Sequence, residues 1–335
     1  MTAAPRAVIF GCAGLRLTAA EKRFLSDAQP WGAILFARNI DTPAQLRALT
    51  TDWRECLGRD LPILIDQEGG RVQRMGPPNW RDWLPALDQS LLARDPARAM
   101  YLRGRLMAAD LRAVGIDVNC APLADIARPE THAILRNRCY AETLEQVVLL
   151  ARAMADGLCD GGVLPVLKHM PGHGRATLDS HQDLPMVTAC AETLRQQDFA
   201  AFAALSDLPL AMSAHIVFTA FDPAQPATTS AKMIRVIRDE IGFDGALMTD
   251  DLSMEALSGT LSTRARAALA AGCDLVLHCN GVLEQMQQVA EACPVLAGPA
   301  RDRCDRALAS RGPAMAVDLS ELAAEYDTLL MEPQA

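Results

Sequence analysis

The sequence has no CxxC pair, no run of basic residues, and no GxGxxG behind its first apolar segment. No apolar run reaches the roughly eighteen residues that a membrane-spanning helix needs. Each gap excludes a class of protein. The ten cysteines, among them Cys12, Cys56, Cys120, Cys159, Cys190 and Cys273, stand singly in apolar or helical segments. Isolated cysteines pack as small hydrophobes and fit a reducing compartment. A formal net charge of −9 with scattered Lys and Arg argues against nucleic acid or a membrane surface as partner. The opening "MTAAPRAVIFGCAG" has one arginine and a short apolar run, so no secretory signal is expected. Together these point to the cytoplasm. No internal repeat, low-complexity tract or Pro/Gly/Ser-rich linker divides the chain.

What is present is a 335-residue chain, half of it hydrophobic, enough for a large core. Eight short apolar runs recur: 7–14, 31–38, 61–70, 116–126, 163–172, 210–218, 245–253 and 273–281. Most are nearly continuous rather than alternating, as in strands covered on both faces of a parallel sheet. Helical stretches separate them. "DTPAQLRALTTDWRECLG" (41–58) opens with Asp41 as expected N-cap and Pro43 in the first turn. "AETLEQVVLLARAMADGLCDGG" (141–162), "TSAKMIRVIRDEIG" (229–242) and "STRARAALAAG" (262–272) each end at glycine. In "ARDPARAMYLRGRLMAADLRAVG" (93–115) the apolar spacing is helical, which places the arginines on the wet face. Eight strands alternating with helices predict an α/β fold, a (β/α)8 TIM-type barrel. It is expected to fill residues 1–335 as one catalytic domain, with a tail of helix, loop and terminal helix from about 282. A doubly wound open sheet is the alternative.

The ends of these runs carry ionisable residues: Asp66, Asp125, Lys168-His169, His215, Asp250-Asp251 and His278. In a barrel such positions converge on one mouth, forming a charged pocket. The densest stretch is "VLKHMPGHGRATLDSHQDLP" (166–185), with His169, His173 and His181. His169 and His173 share the spacing of a zinc motif, but Pro171-Gly172 breaks any helix between them and Met170 stands where HExxH has glutamate. Lys168 at a strand end could form a Schiff base, although the nearby carboxylates oppose the required low pKa. Asp179 and His181 lie two apart, so an extended segment turns both to one side as a proton-transfer pair. With Asp250 as a carboxylate on another strand, the parts needed for retaining glycoside hydrolysis are present.

These residues resemble the single-domain bacterial β-N-acetylglucosaminidases (β-hexosaminidases) of glycoside hydrolase family 3. "KHMPGHGRATLDSH" is similar to that group's KHFPGHG…DSH signature. "IDQEGGRVQR" (65–74), "GIDVNCAPLADI" (115–126), "RNRCY" (136–140), "SAHIVF" (213–218) and "MTDDLSM" (248–254) match its other blocks in order. The resemblance implies Asp250 as nucleophile and Asp179 with His181 as acid/base pair. It also implies Asp66, Arg74, Arg138, Lys168 and His169 as the residues holding the sugar. Met170, Thr249 and Arg175 depart from the usual pattern. The expected reaction releases non-reducing terminal N-acetyl-β-D-glucosamine from muropeptides, without metal or cofactor. Phosphorolysis and a non-catalytic sugar-binding barrel are the alternatives. Spent histidine is neutral where spent glutamate would be anionic, so an acidic aglycone is tolerated in this scheme. Pro171-Gly172 and Gly174 are expected as hinges for a loop that closes over the sugar.

Overall fold

A computed structural model describes residues 4–178 and 184–331. Each of the eight apolar runs contains one strand of a closed parallel barrel. The strands are β1 (Arg6–Phe10), β2 (Pro30–Leu35), β3 (Ile63–Ile65), β4 (Val118–Asn119), β5 (Leu164–Met170), β6 (Leu210–Ser213), β7 (Ala246–Asp251) and β8 (Leu275–His278). They neighbour one another in chain order, and β8 pairs with β1 through Val8↔Val276, Ile9↔Leu277 and Phe10↔His278. Period-two alternation then divides the core. Ile9, Ile34, Leu64, Val166, Met248 and Leu277 fill the barrel interior. Val8, Phe10, Leu35, Ile65 and Leu247 face the surrounding helices. The interior is therefore packed solid, and only the strand ends can carry a site.

The ladder shifts register between Arg6 and Ile9 at the start of β1, and again at two places nearer the mouth. Between β5 and β6 the register runs Leu167↔Ala211 and then Met170↔Ser213. Between β7 and β8 it runs Met248↔Leu275 and then Asp251↔Leu277. Each time three steps on one strand oppose two on its neighbour, so β5 and β7 carry one extra residue. Such bulges re-aim side chains at barrel rims. Here they let the consecutive pairs Lys168-His169 and Asp250-Asp251 all reach the mouth.

The helices follow the sequence except at the start of Pro43–Leu57, along Pro96–Ala113 and in the tail. α1 (Pro43–Leu57) is capped by Thr42, whose hydroxyl accepts from the Gln45 amide, and not by Asp41. Pro43 occupies the first turn and biases the residue before it to extended backbone, which makes Thr42 the last non-helical position. α2 (Pro96–Ala113) is gripped between α3 (Leu144–Asp160) and the C-terminal helix, so it has little wet face. Arg103 and Arg105 are buried, contrary to the solvated face expected from their spacing. α4 (Leu261–Ala271) ends at Gly272 as expected.

Beyond β8 the tail forms three helices rather than two. Leu283–Ala292 comes first, and then α5 (Gly298–Ala309) and α6 (Leu319–Leu330). α5 lies where a loop was expected, because its sequence is rich in charge and only Cys304 and Ala307 are buried. Those two residues close the floor of the barrel interior. Arg303 anchors the helix to Asp274 at 2.7 Å. Among the described residues no helix is long and apolar enough to cross a membrane.

Candidate active site

The mouth at the carboxyl ends of the strands holds a cavity of about 440 Å³. Its wall includes Asp66, Arg74, Arg138, Lys168, His169 and Asp250. The structure thus brings together every sequence-predicted site residue that it describes. Asp179 and His181, the expected acid/base pair, lie outside the described residues.

The floor is a lattice of ion pairs. Lys168 reaches down the end of β5 and donates to Asp66 at 2.9 Å and to Glu68 at 2.6 Å. Arg138 grips Glu68 with two parallel bonds of 2.8 Å. Arg74 donates to Asp66 at 3.1 Å and stacks on Phe36, 5.2 Å from its ring centroid. A hairpin of Gln67–Gly69 with Val72–Gln73 presents these groups, and the Gln67 side chain ties it by accepting from the Arg74 and Met75 amides. Burial alone would raise the pKa of Asp66 and Glu68. The facing cations outweigh it, holding Asp66 well below the usual range and Glu68 at about 2. Burial alone would lower the pKa of Lys168, but Asp66 and Glu68 push it above the ordinary lysine range. A permanently charged ammonium cannot act as the nucleophilic amine of a Schiff base. Its chemistry is to donate hydrogen bonds, as sugar hydroxyls require.

His169 is oriented from beneath. Its Nδ1 donates to Asp125 at 2.8 Å, leaving Nε2 beside Arg138 at 3.5 Å. Asp125 is fully buried and also accepts from the His173 amide at 2.6 Å. Burial would raise its pKa, yet His169 and the other donors hold it below the usual value. The His169 and His173 rings meet edge to face with centroids 5.4 Å apart. Among the described residues no three His, Cys, Asp or Glu side chains are grouped to hold a metal ion. Pro171, Gly172, His173 and Gly174 are all buried, and a Cβ at Gly174 would collide with the Ile126 carbonyl. Close approach of backbone to backbone, rather than hinge freedom, is what the structure asks of that glycine.

Not every strand-end residue serves the mouth. His278 pairs in register with Phe10 and points outward, its ring edge-on to that phenylalanine at 6.4 Å. Period-two alternation from the inward Leu277 could have given this. The sequence did not reveal the part that three residues play around the site. Glu68, inside "IDQEGGRVQR", and Asp125, at the end of the fourth apolar run, carried no mark of their partners. Arg103 was placed in solvent. Instead its guanidinium lies behind the hairpin, donating to the Glu68 carbonyl, to Leu84 O at 2.9 Å and to the Gln89 side chain. Tyr326 of α6 donates to the same Gln89 oxygen at 2.6 Å. Gly69, at φ +108°, leaves room for this approach, and a Cβ there would collide with Arg103. Gly69→Ala is therefore expected to destabilise the fold by about 2–4 kcal/mol, read from urea unfolding midpoints, because strain and collision add.

The arrangement is a cavity open at the barrel mouth, with fixed donors and acceptors in its floor and a carboxylate, Asp250, in its wall. That is a site for binding a polyhydroxylated ring and attacking it. Comparison with known proteins agrees. The glycosyl hydrolase family 3 N-terminal domain matches residues 6–306. The β-hexosaminidase of Alkalilimnicola ehrlichii is 41% identical over 281 residues, spanning 82% of this chain and 80% of that one. NagZ of Neisseria gonorrhoeae, solved in complex with N-trifluoroacetyl-D-glucosamine, superposes with a TM-score of 0.87 at 30% identity, covering 98% of this chain and 99% of that one. A family 3 β-N-acetylglucosaminidase from Paenibacillus sp. gives 0.83 at 29% identity over 96% of this chain, which spans 66% of that longer protein. With barrel, cavity and relatives in accord, the chain belongs to glycosyl hydrolase family 3, among its β-hexosaminidases.

Proposed function

We propose that this enzyme removes N-acetyl-β-D-glucosamine from the non-reducing end of peptidoglycan-derived muropeptides, with retention of configuration. One observation carries the reading. Asp250 and the Asp66–Lys168–Glu68–Arg138 lattice meet in one cavity at the barrel mouth. Asp66, Arg74, Arg138, Lys168 and His169 hold the sugar hydroxyls and the acetamido group. The N-acylglucosamine bound to the Neisseria NagZ supports that ligand class. Asp250 attacks the anomeric carbon from the face opposite the leaving group and forms a covalent glycosyl-aspartate. His181, paired with Asp179, protonates the leaving oxygen and then takes a proton from the water that releases the sugar. The common scheme uses a second carboxylic acid in that role. A histidine is neutral after donating, so it suits an aglycone that carries its own carboxylate.

The test compares a chromogenic N-acetyl-β-glucosaminide with the matching glucoside. The N-acetyl substrate should be preferred by about a hundredfold or more, since a site built to hold an acetamido group penalises its absence. Turnover of the glucoside alone would overturn the substrate assignment. In phosphate buffer the product should remain free sugar; sugar 1-phosphate would make the enzyme a phosphorylase.

A further inference from the structure

His215 stands at the end of the sixth apolar run, and the proposed chemistry gives it no task. It is buried beneath the mouth at 1% exposure, so both ring nitrogens need partners. Nε2 lies 3.1 Å from the backbone oxygen of Asp251, and Nδ1 lies 2.7 Å from the Thr228 hydroxyl. A carbonyl only accepts, so Nε2 must carry a proton. Nδ1 then accepts from Thr228, whose oxygen in turn accepts from Ser213 at 2.8 Å. The alternative has Thr228 donating to Ala214 O at 3.1 Å, which would force a second proton onto the ring. Burial opposes that charge and pulls the imidazole pKa below its ordinary value, against Asp250 and Asp251, which pull it up. The neutral Nε2–H tautomer satisfies every polar atom in the chain Ser213–Thr228–His215.

The receiving carbonyl matters because of what the same residue does with its amide. Asp251 N donates to Asp250 Oδ1 at 2.8 Å. The Asp251 carboxylate accepts from the Ser253 amide at 3.1 Å and the Cys279 amide at 3.2 Å. Asp251 is thus tied through its amide, its carboxylate and its carbonyl, directly after the extra residue in β7.

We propose that His215 is a positioning residue for Asp250: it pins the Asp251 carbonyl, and so fixes the residue whose own amide, in the preceding peptide unit, sets the Asp250 carboxylate. The inference rests on Asp250 being the nucleophile. His215 never touches the sugar. Its contribution is to keep the attacking oxygen within the narrow geometry that displacement needs, where an error near 1 Å costs about a hundredfold in rate.

The test is the rate of covalent trapping by a slow 5-fluoro N-acetylglucosaminyl fluoride, with the labelled residue found by peptide mass spectrometry. His215→Leu fills the space without a donor and should trap about a hundredfold more slowly, with affinity for N-acetylglucosamine unchanged within about threefold. His215→Gln restores a donor and should recover to within about tenfold of wild type. A merely structural histidine would lower sugar affinity and trapping together and gain nothing from glutamine. If His215→Leu fails to fold, Thr228→Val decides: loss of the hydroxyl frees the tautomer and should slow trapping about tenfold. Label on Asp250 with undiminished trapping in His215→Leu, or in Thr228→Val if that variant decides, overturns the inference. Label on another residue in wild type overturns the nucleophile assignment instead, so the two failures are distinct.

Discussion

Asp250→Asn is expected to lower hydrolysis of an N-acetyl-β-glucosaminide by about four orders of magnitude, while affinity for N-acetylglucosamine stays within about threefold of wild type. The substitution is nearly isosteric but removes the attacking electron pair. The ion pairs of the lattice proposed to hold the sugar join Asp66, Glu68, Lys168, Arg74 and Arg138 to one another. Binding and chemistry are therefore separable. Titration calorimetry gives the first and steady-state kinetics the second. A variant that kept even a hundredth of wild-type turnover would mean that another group attacks.

Glu68→Gln should have the second largest effect, on stability and activity together. Glu68 is the shared partner of two cations, the buried Lys168 at 2.6 Å and the partly buried Arg138 at 2.8 Å. An amide of the same shape leaves both cations short of a counter-charge, and breaking a buried pair in this way costs about 3–5 kcal/mol. With the donors loosened, kcat/KM should fall about a hundredfold. The pH dependence supplies an independent check. A carboxyl held at about 2 in the folded state contributes stability that is complete above its unfolded value and lost as pH falls toward 2. The shift corresponds to roughly 3 kcal/mol. The difference in urea midpoint between wild type and Glu68→Gln should accordingly be widest at neutral pH, narrow below about pH 4.5, and close near pH 2. A difference that stayed constant over that range would show that Glu68 acts through shape and not charge.

The eight strands were legible because burial on both faces leaves an uninterrupted apolar run, a signal that needs no tertiary information. The polar residues ending those runs were legible for the same reason: an ionisable group after a buried strand has to emerge somewhere. What could not be read was pairing across the chain. Arg103 has the spacing of a solvated residue, and only the arrival of Glu68, Leu84 and Gln89 from elsewhere makes its burial tolerable. α5 has too few apolar residues to announce itself, since its role is to stopper the barrel with Cys304 and Ala307. Thr42 and Asp41 are both good caps, and the choice turns on the backbone that Pro43 imposes. His278 could have been placed by counting from Leu277. The expected acid/base pair, Asp179 with His181, rests on sequence alone, since both fall outside the described residues.

The doublets Lys168-His169 and Asp250-Asp251 depend on the two bulges, and this bears on how the enzyme can be re-engineered. Removing one residue from either strand would even out the pairing and swing one member of each couple toward the helical shell. Swapping rim segments between homologues to alter selectivity must therefore conserve the number of residues as strictly as their identity. A graft one position short would keep every recognisable motif and still present half of it to the wrong side.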